Sequence, residues 1–292
     1  MEYFLIILST VLFGGQFIAL NFYQDKNGKI IRSILLFCSV FSFIGAFVFL
    51  CLSGFCIGFS WYTLLFASIA ACIQMTLQLV GLKALSLGRV EIYTLFNVAG
   101  GMSVAYIFGI TYFQEVIKVT HIIGLFVILS ALIVPIVFDR QNKTKSPLIF
   151  WILCLLVFLS NGFFGTVNKI HIVSGNGLNI RQYLFYVYLV IFVLSTIPLL
   201  FSFFMKDKVT KTLFNPKAVI AASIYGLVNS FGMFLQYCFA DRIPASILFP
   251  LSNAGCIVFA LIFTCLFYRK KPKLQDIIQF VIALGGMLLY II

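Results

Sequence analysis

Ten apolar stretches, each close to twenty residues long, limit the folds that this sequence can adopt. A helix needs about 20 apolar residues to cross the hydrocarbon core of a bilayer. Backbone groups that face lipid find hydrogen-bond partners only inside a helix or a closed barrel. The stretches therefore predict an all-α membrane protein with ten transmembrane helices and no soluble domain. The predicted helices are residues 3–22, 32–52, 62–83, 90–112, 119–138, 148–170, 181–204, 218–240, 246–268 and 274–292.

The overall composition supports a membrane protein and gives no sign of a metal site or a disulfide framework. Hydrophobic residues make up 62% of the chain and charged residues 10%, whereas soluble domains average about 45–50% apolar and about 25% charged residues. Most of the eight cysteines fall inside apolar stretches, where a free cysteine behaves as a small hydrophobic residue. Because the sequence has no CxxC pair and no Cys/His cluster with metal-ligand spacing, we expect neither a metal nor a cofactor.

The second half of the sequence resembles the first in several segments that occur in the same order. "LFNVAGG" (95–101) resembles "PLSNAGC" (250–256), and each segment places an asparagine, Asn97 or Asn253, among small residues. The shared order predicts an internal duplication of five helices. The other similar pairs are "KIIRSILLF" (29–37) with "LNIRQYLFY" (178–186), and "ASIAACIQ" (67–74) with "ASIYGLVN" (222–229).

The odd number of helices in each repeat determines how the two repeats are related. After five crossings the chain is on the opposite side of the membrane, so the second repeat is expected to be inverted relative to the first. Inverted repeats are common in secondary transporters, whose substrate sites lie at the repeat interface near the middle of the bilayer. We predict one repeat at residues 1–140, the other at residues 147–292, and a short linker at residues 141–146.

The distribution of basic residues predicts the orientation of the chain in the membrane. The segments after the predicted helices 1, 3, 5, 7 and 9 carry 16 of the 20 lysines and arginines. Because basic loops tend to remain in the cytoplasm, we expect these segments to be cytoplasmic and both termini to be outside a prokaryotic cytoplasmic membrane. The net charge of +12 is spread over helix ends, so we expect contact with the lipid bilayer and no nucleic-acid partner.

Apart from hydroxyl-bearing residues, the polar residues well inside the predicted helices are amides, and no charged residue lies near a helix centre. Lipid cannot satisfy an amide, so these side chains are expected to face the protein interior. They can form hydrogen bonds between helices, worth about 0.6–2 kcal/mol each, or line a substrate site. Their recurrence in the first, third and fourth helix of each half favours a site. The candidate substrate-binding residues are Gln16, Gln74, Gln78, Tyr93, Asn97, Asn161, Asn168, Asn229, Gln236 and Asn253.

Ionisable residues lie near the ends of the predicted helices. Glu91 is a candidate for proton coupling, because acids at membrane depth are costly and commonly functional. An ion pair between Glu91 and Arg89 at the membrane surface is the alternative. Lys169, His171 and His121 are expected at the interface, where long basic side chains extend toward water.

Two segments make the chain resemble the ten-helix EamA-type transporters of the drug/metabolite transporter superfamily. "FADRIPASILFPL" (239–251) is similar to the alanine, short turn and Pro-Ala-Ser helix start of that family. In residues 112–133, Glu115 and Gly124 occupy the places of a family glutamate and glycine. The second repeat departs from the pattern, since Lys271 stands where the corresponding glutamate would align. Family members generally have cytoplasmic termini, which is opposite to the orientation that the basic residues predict here.

The resemblance and the amides together lead to one main expectation about function. We expect a secondary transporter that exports a small organic metabolite, such as an amino acid or another polar neutral or zwitterionic compound, by alternating access. ATP is not expected to drive it, because no Walker A pattern occurs; proton coupling, exchange and facilitated diffusion remain open. An intramembrane enzyme and a non-transporting scaffold or receptor subunit are the alternatives, and an enzyme is not expected. The protein is expected to be a monomer or a homodimer.

Overall fold

The computed structural model describes residues 2–28, 30–88, 90–116, 118–138, 147–204, 215–268 and 274–291. These residues form ten α-helices and no strand. The linker predicted at residues 141–146 lies outside the described residues. The helices are α1 (Glu2–Asn27), α2 (Ile31–Leu52), α3 (Trp61–Leu87), α4 (Val90–Thr111), α5 (Val119–Phe138), α6 (Leu148–Ser174), α7 (Ile180–Phe204), α8 (Pro216–Tyr237), α9 (Ala245–Tyr268) and α10 (Leu274–Ile291).

Local signals explain where several helices begin and end. Asn215 precedes α8, and its side-chain oxygen accepts a hydrogen bond from the backbone N–H of Lys217 at 3.1 Å. Pro216 occupies the first position of the same helix, where its missing N–H costs nothing. Gly175 follows α6 with a φ of 66°, a left-handed conformation that favours glycine and commonly ends a helix.

The helices confirm the predicted all-α architecture, with small differences in length. Nine described helices are long and apolar enough to cross a membrane, as an integral multi-pass membrane protein requires. The described part of α10 is apolar but shorter. The largest extensions beyond the predicted boundaries are at the C-terminal ends of α1, α3 and α6, because a helix can continue into the interface after its apolar stretch has ended.

Most of the helix packing joins residues 2–138 to residues 147–291. The main partners of α1 are α8 and α9, those of α2 are α7 and α8, those of α3 are α6 and α7, and those of α4 are α6 and α9. Helices α5 and α10 pack against each other. We call the surface between these two parts of the chain the seam. The buried core extends across the seam, with the Phe41 ring 5.4 Å from that of Tyr225 and 6.3 Å from that of Tyr188.

One end of the bundle collects alternate helix ends, so consecutive helices run in opposite directions. The C-terminal ends of α2, α4, α6, α8 and α10 meet there with the N-terminal ends of α1, α3, α5, α7 and α9. We call this end the Glu115 end. The contacts that define it are Arg242 Nη1 to Glu2 Oε1 at 3.7 Å, Arg181 Nη1 to Leu52 O at 3.0 Å, Lys169 Nζ to Glu115 Oε1 at 3.1 Å, Thr63 Oγ1 to His171 Nε2 at 3.0 Å, and stacking of His121 on Tyr290 at 5.4 Å.

Candidate functional site

Two asparagines from one side of the seam, Asn161 in α6 and Asn253 in α9, approach Gly101 on the other side, one helical turn after Asn97. A Cβ atom built on Gly101 would lie 2.7 Å from Asn161 Nδ2 and 3.1 Å from Asn253 Nδ2. Asn161 Nδ2 also donates a hydrogen bond to the backbone oxygen of Asn97 at 2.7 Å. Asn97, Asn161 and Asn253, which we call the amide cluster, therefore join α4 to α6 and α9. The structure thus places Asn161 and Asn253 beside the turn of α4 that contains Asn97 and Gly101.

Glycines allow α4 and α6 to approach closely enough for this cluster to form. A Cβ on Gly100 would lie 2.0 Å from the backbone oxygen of Phe158, and one on Gly162 would lie 2.3 Å from Val104 Cβ. Neither position has room for a larger side chain while the two helix backbones remain in place. Small residues at such crossings are the usual route to close helix packing in membranes.

Some polar atoms of the amide cluster form no hydrogen bond within the described part of the protein. Asn253 Nδ2 donates to Phe249 O in its own helix at 2.9 Å, so this bond does not join two helices. Asn97 Oδ1 is buried and has no hydrogen-bond partner among the described residues, and a buried acceptor without a partner costs about 1–3 kcal/mol. All three side chains are only half-buried. The Oδ1 atoms of Asn161 and Asn253 accept no hydrogen bond from a described residue and are not among the fully buried atoms, so these two oxygens could bind a ligand.

A second group of polar side chains connects α7, α8 and α1. The Tyr188 hydroxyl donates to Asn229 Oδ1 at 2.5 Å, and Asn229 Nδ2 donates to Gln16 Oε1 at 2.8 Å. Tyr188 is 2% exposed, whereas Asn229 and Gln16 are half-buried. The bond between Gln16 and Asn229 crosses the seam, as the bond from Asn161 to Asn97 does.

The candidate glutamines of α3 and α8 make no such bonds. Gln74 and Gln78 are half-buried on one face of α3, and Gln236 in α8 is buried. Within the described part of the chain, none of the three side chains forms a hydrogen bond with the protein. Their amides therefore have hydrogen-bonding capacity available for water or a ligand.

Asn168 and Tyr93 differ in how far they are buried. Asn168 has no exposed surface, and its amide is used by Tyr183, whose hydroxyl donates to Oδ1 at 2.6 Å, and by Tyr237, which accepts from Nδ2 at 3.2 Å. Tyr93 packs with a separate apolar cluster formed by α3, α4 and α6, and its hydroxyl lies 2.7 Å from a Cβ built on Gly81. In this conformation Asn168 is less accessible to a ligand than the half-buried amides are, whereas Tyr93 is itself half-buried.

The structure also contains a charged network that sequence reasoning did not identify. Lys169 Nζ lies 3.1 Å from Glu115 Oε1 and donates to Ile243 O at 2.7 Å. Glu115 accepts hydrogen bonds from the backbone N–H groups of Ala245 and Ser246, at 2.5 and 2.9 Å, and from the Ser246 hydroxyl at 2.7 Å. The Lys169 and Glu115 side chains are only 4% and 8% exposed. A carboxylate from the α4–α5 segment thus caps the N-terminus of α9 across the seam.

Burial raises the pKa of the Glu115 carboxyl, but the hydrogen bonds from Ser246, the charge of Lys169 and the bond from Ala245 outweigh this effect. The net result is a pKa below the usual value of 4.5. The carboxylate is therefore the favoured form at neutral pH, in agreement with its position beside unpaired N–H groups at a helix start.

Three basic residues that were expected at the interface lie near helix ends, but their side chains are buried in the protein and do not extend toward water. Lys169 is 3% exposed, His171 2% and His121 5%. His171 stacks on Tyr183 with ring centroids 3.8 Å apart and pairs with Thr63 Oγ1, which also accepts from the backbone N–H of Leu178 at 2.9 Å. Their positions near helix ends were visible in the sequence, but their buried partners are distant in the chain and carry no local signal.

The remaining sequence candidate can be placed only in part. Glu91 belongs to α4, but its side chain lies outside the described part of the structure. Its possible partner Arg89 also lies outside the described residues, as does Lys271, which stands where the glutamate of the resembled family would align. Among the residues that are described, no group of three His, Cys, Asp or Glu residues is arranged to hold a metal ion.

Comparison with known proteins identifies the fold but no family. No family model matches the sequence, and no curated protein matches it. In contrast, 28 chains of solved structures are similar. One of them, a crystal structure described only as that of a protein, is 13% identical and has a TM-score of 0.73 over 98% of this chain and 94% of its own. At that identity the similarity shows a shared fold alone.

Proposed function

We propose that this protein is a secondary transporter of the drug/metabolite transporter type, which exports a small organic metabolite by alternating access. The observation that carries the proposal is the position of the amide cluster. Half-buried, incompletely bonded asparagines from α4, α6 and α9 converge at the seam. Lipid offers no partner to such groups, so a polar ligand site between the two parts of the chain accounts for them.

The pattern of helix contacts supports an arrangement of two inverted repeats. If each helix of α1–α5 is exchanged with the helix five places later, the contacts of α1 with α8 and α9 become those of α6 with α3 and α4. The contact of α2 with α8 becomes that of α7 with α3, and the pairs α2–α7, α4–α9 and α5–α10 map onto themselves. This correspondence favours a two-fold relation between the repeats, and the odd helix number makes that relation inverted.

The chemistry of the site favours a neutral or zwitterionic substrate. The candidate side chains at the seam are neutral amides, which donate and accept hydrogen bonds but do not compensate a net charge. An amino acid or a compound of similar polarity fits this chemistry. The direction of export and the placement of the basic segments in the cytoplasm extend the proposal and rest on the sequence.

Flux measurements on the purified protein test the proposal directly. The protein is reconstituted into liposomes, and a metabolite library is screened first by thermal stabilisation and then by counterflow of labelled compounds that stabilise it. We expect at least one amino acid or similar metabolite to exchange, and Asn97→Ala and Asn253→Ala to reduce exchange by about tenfold or more. Thr111→Ala, which changes an exposed residue of α4, is the matched control.

The possible outcomes separate transport from the alternatives. Normal exchange by both asparagine variants would refute the assignment of the amide cluster to the site. Chemical conversion of a compound without its movement would indicate an enzyme instead. Binding of a partner protein with no exchange of any metabolite would indicate a scaffold or receptor subunit.

A further inference from the structure

The chain of hydrogen bonds from Tyr188 through Asn229 to Gln16 has a direction. Tyr188 is buried, and its hydroxyl has Asn229 Oδ1 as its only acceptor in hydrogen-bond geometry among the described residues. The Ser230 hydroxyl also lies near Tyr188, but it donates to Gly226 O at 2.7 Å and forms no bond with Tyr188 at an acceptable distance and angle. A buried hydroxyl that cannot donate is costly, so Tyr188 donates to Asn229.

The direction of this first bond determines the orientation of both amides. The oxygen and nitrogen of a carboxamide are similar in size, so the surrounding hydrogen bonds decide which atom lies where. Once Asn229 Oδ1 accepts from Tyr188, Asn229 Nδ2 faces Gln16 and requires an acceptor. Gln16 must therefore present Oε1 to Asn229, at 2.8 Å. The opposite orientation would leave the Tyr188 hydrogen buried without an acceptor.

This arrangement leaves the Nε2 group of Gln16 as the available end of the chain. Gln16 is half-buried, and its Nε2 is neither bonded to a described residue nor among the buried atoms without a partner. An accessible N–H₂ group at the seam binds an acceptor, such as a carboxylate or carbonyl oxygen.

We propose that Tyr188 and Asn229 are positioning residues that hold Gln16 as a hydrogen-bond donor, and that the substrate presents a carboxylate or carbonyl oxygen to Gln16 Nε2. The inference rests on the proposed transport function and narrows its substrate class. Neither Tyr188 nor Asn229 needs to touch the substrate for this role.

The corresponding positions of the first repeat lack such a chain. In the aligned segments Gln74 corresponds to Asn229. When the alignment of residues 29–37 with residues 178–186 is extended by two residues, Ser39 corresponds to Tyr188. The Ser39 hydroxyl donates within α2 to Leu35 O at 2.9 Å and contacts Ser195 Oγ at 3.1 Å. Among the described residues, Gln74 has no hydrogen-bond partner that would hold its orientation. The Gln74 amide in α3 can therefore turn to bind either a donor or an acceptor group of a substrate. The Gln16 amide, which is held in one orientation, binds only acceptor groups.

The test compares substrates that differ only in the acceptor group. Reconstituted protein is assayed with labelled L-leucine, L-phenylalanine and L-threonine, each against the primary amine that lacks its carboxylate. Wild type is expected to prefer the amino acid by about tenfold or more. In Tyr188→Phe, which adds no charge, we expect KM for the amino acid to rise about threefold to tenfold, as loss of one hydrogen bond implies, with kcat changed less than about twofold.

A second variant is expected to reverse the orientation of Gln16. Aspartate at position 229 cannot donate to Gln16 Oε1, so in Asn229→Asp the Gln16 amide should turn its Nε2 toward residue 229 and expose Oε1. The preference should then shift from the amino acid toward the amine. Tyr186→Phe is the matched control in α7, because the Tyr186 hydroxyl bonds to Gly58 O in a loop and lies outside the proposed chain.

The outcomes distinguish this inference from the transport proposal on which it rests. Wild-type exchange of amino acids with an unchanged acid-to-amine preference in Tyr188→Phe and Asn229→Asp would overturn the orientation of Gln16 and leave transport intact. Exchange of the amines as readily as the amino acids by wild type would also overturn it. If wild type exchanges no compound of this panel or of the metabolite library, the proposed function fails together with this inference.

Discussion

The Glu115–Lys169 network and the amide cluster both join helices across the seam, but they use polar groups in opposite ways. At the Glu115 end, a buried carboxylate accepts from Lys169 and from three groups at the start of α9. In the amide cluster, the side chains are half-buried and Asn97 Oδ1 has no partner among the described residues.

This difference separates a contact that stabilises the fold from one that is available to a ligand. A buried charge is tolerated only when it is paired and hydrogen-bonded, so the network at the Glu115 end must be complete before the fold is stable. Leaving one hydrogen-bonding atom of a neutral amide without a partner costs much less free energy than leaving a buried charge unpaired. The amide cluster can therefore retain atoms that are free to form hydrogen bonds. Variants that change each region should therefore affect stability and transport in different proportions.

The largest expected effect follows from removing one partner of the buried ion pair. Glu115→Gln or Lys169→Met should lower stability by about 3–5 kcal/mol, because each leaves an uncompensated buried charge or N–H group. The double variant should be more stable than the sum of the two losses predicts. Thermal unfolding in detergent measures the effect, and additive losses would show that the two groups do not act as a pair.

A smaller loss of stability is expected where α4 and α6 cross. Gly100→Ala places a Cβ 2.0 Å from Phe158 O, and overpacking of this kind costs about 1–3 kcal/mol or more. Gly285→Ala is the matched control, because a Cβ at that helical position meets nothing within 4 Å. The control should unfold at the same temperature as wild type or slightly higher, since alanine favours helix more than glycine does. Equal losses in both variants would contradict the close crossing.

Acidification should weaken the Glu115 end selectively. The pKa of Glu115 is lowered in the folded state, so its contribution to stability is complete above the usual value of 4.5 and is lost as pH falls through the folded value. The difference in unfolding temperature between wild type and Glu115→Gln should therefore shrink as the pH is lowered from 7 to about 3. A difference that stays constant over this range would show that Glu115 does not ionise as proposed.

The smallest effect on stability, combined with a large effect on transport, is expected at Gly101. In Gly101→Ala the new Cβ would lie 2.7 Å from Asn161 Nδ2 and 3.1 Å from Asn253 Nδ2. These are the ends of side chains that can shift, so stability should fall by about 1 kcal/mol or less, while exchange flux should fall by about tenfold. Stability comes from thermal unfolding and flux from proteoliposomes. A variant that is equally active would place the substrate away from the amide cluster.

The sequence was most informative about the number and position of the helices. Length and apolar character fix α2, α5 and α9 almost to the residue, because the thickness of the bilayer sets the length of each apolar stretch. It was less informative about side-chain pairs. Asn97 and Asn253 could be singled out as related polar residues, but the role of Asn161 as a donor to Asn97 O depends on how α4 and α6 cross.

The sequence by itself determined an all-helical membrane chain, since the bilayer acts on each apolar segment separately and the backbone must satisfy its own hydrogen bonds. Only the tertiary structure decided which polar groups form hydrogen bonds within the protein and which remain available to a ligand. Lys169 and Glu115 are 54 residues apart, and Gln16 and Asn229 are 213 residues apart. Their bonds depend on the packing of distant helices across the seam, where a close crossing at glycine fixes the positions of side chains that no local pattern relates.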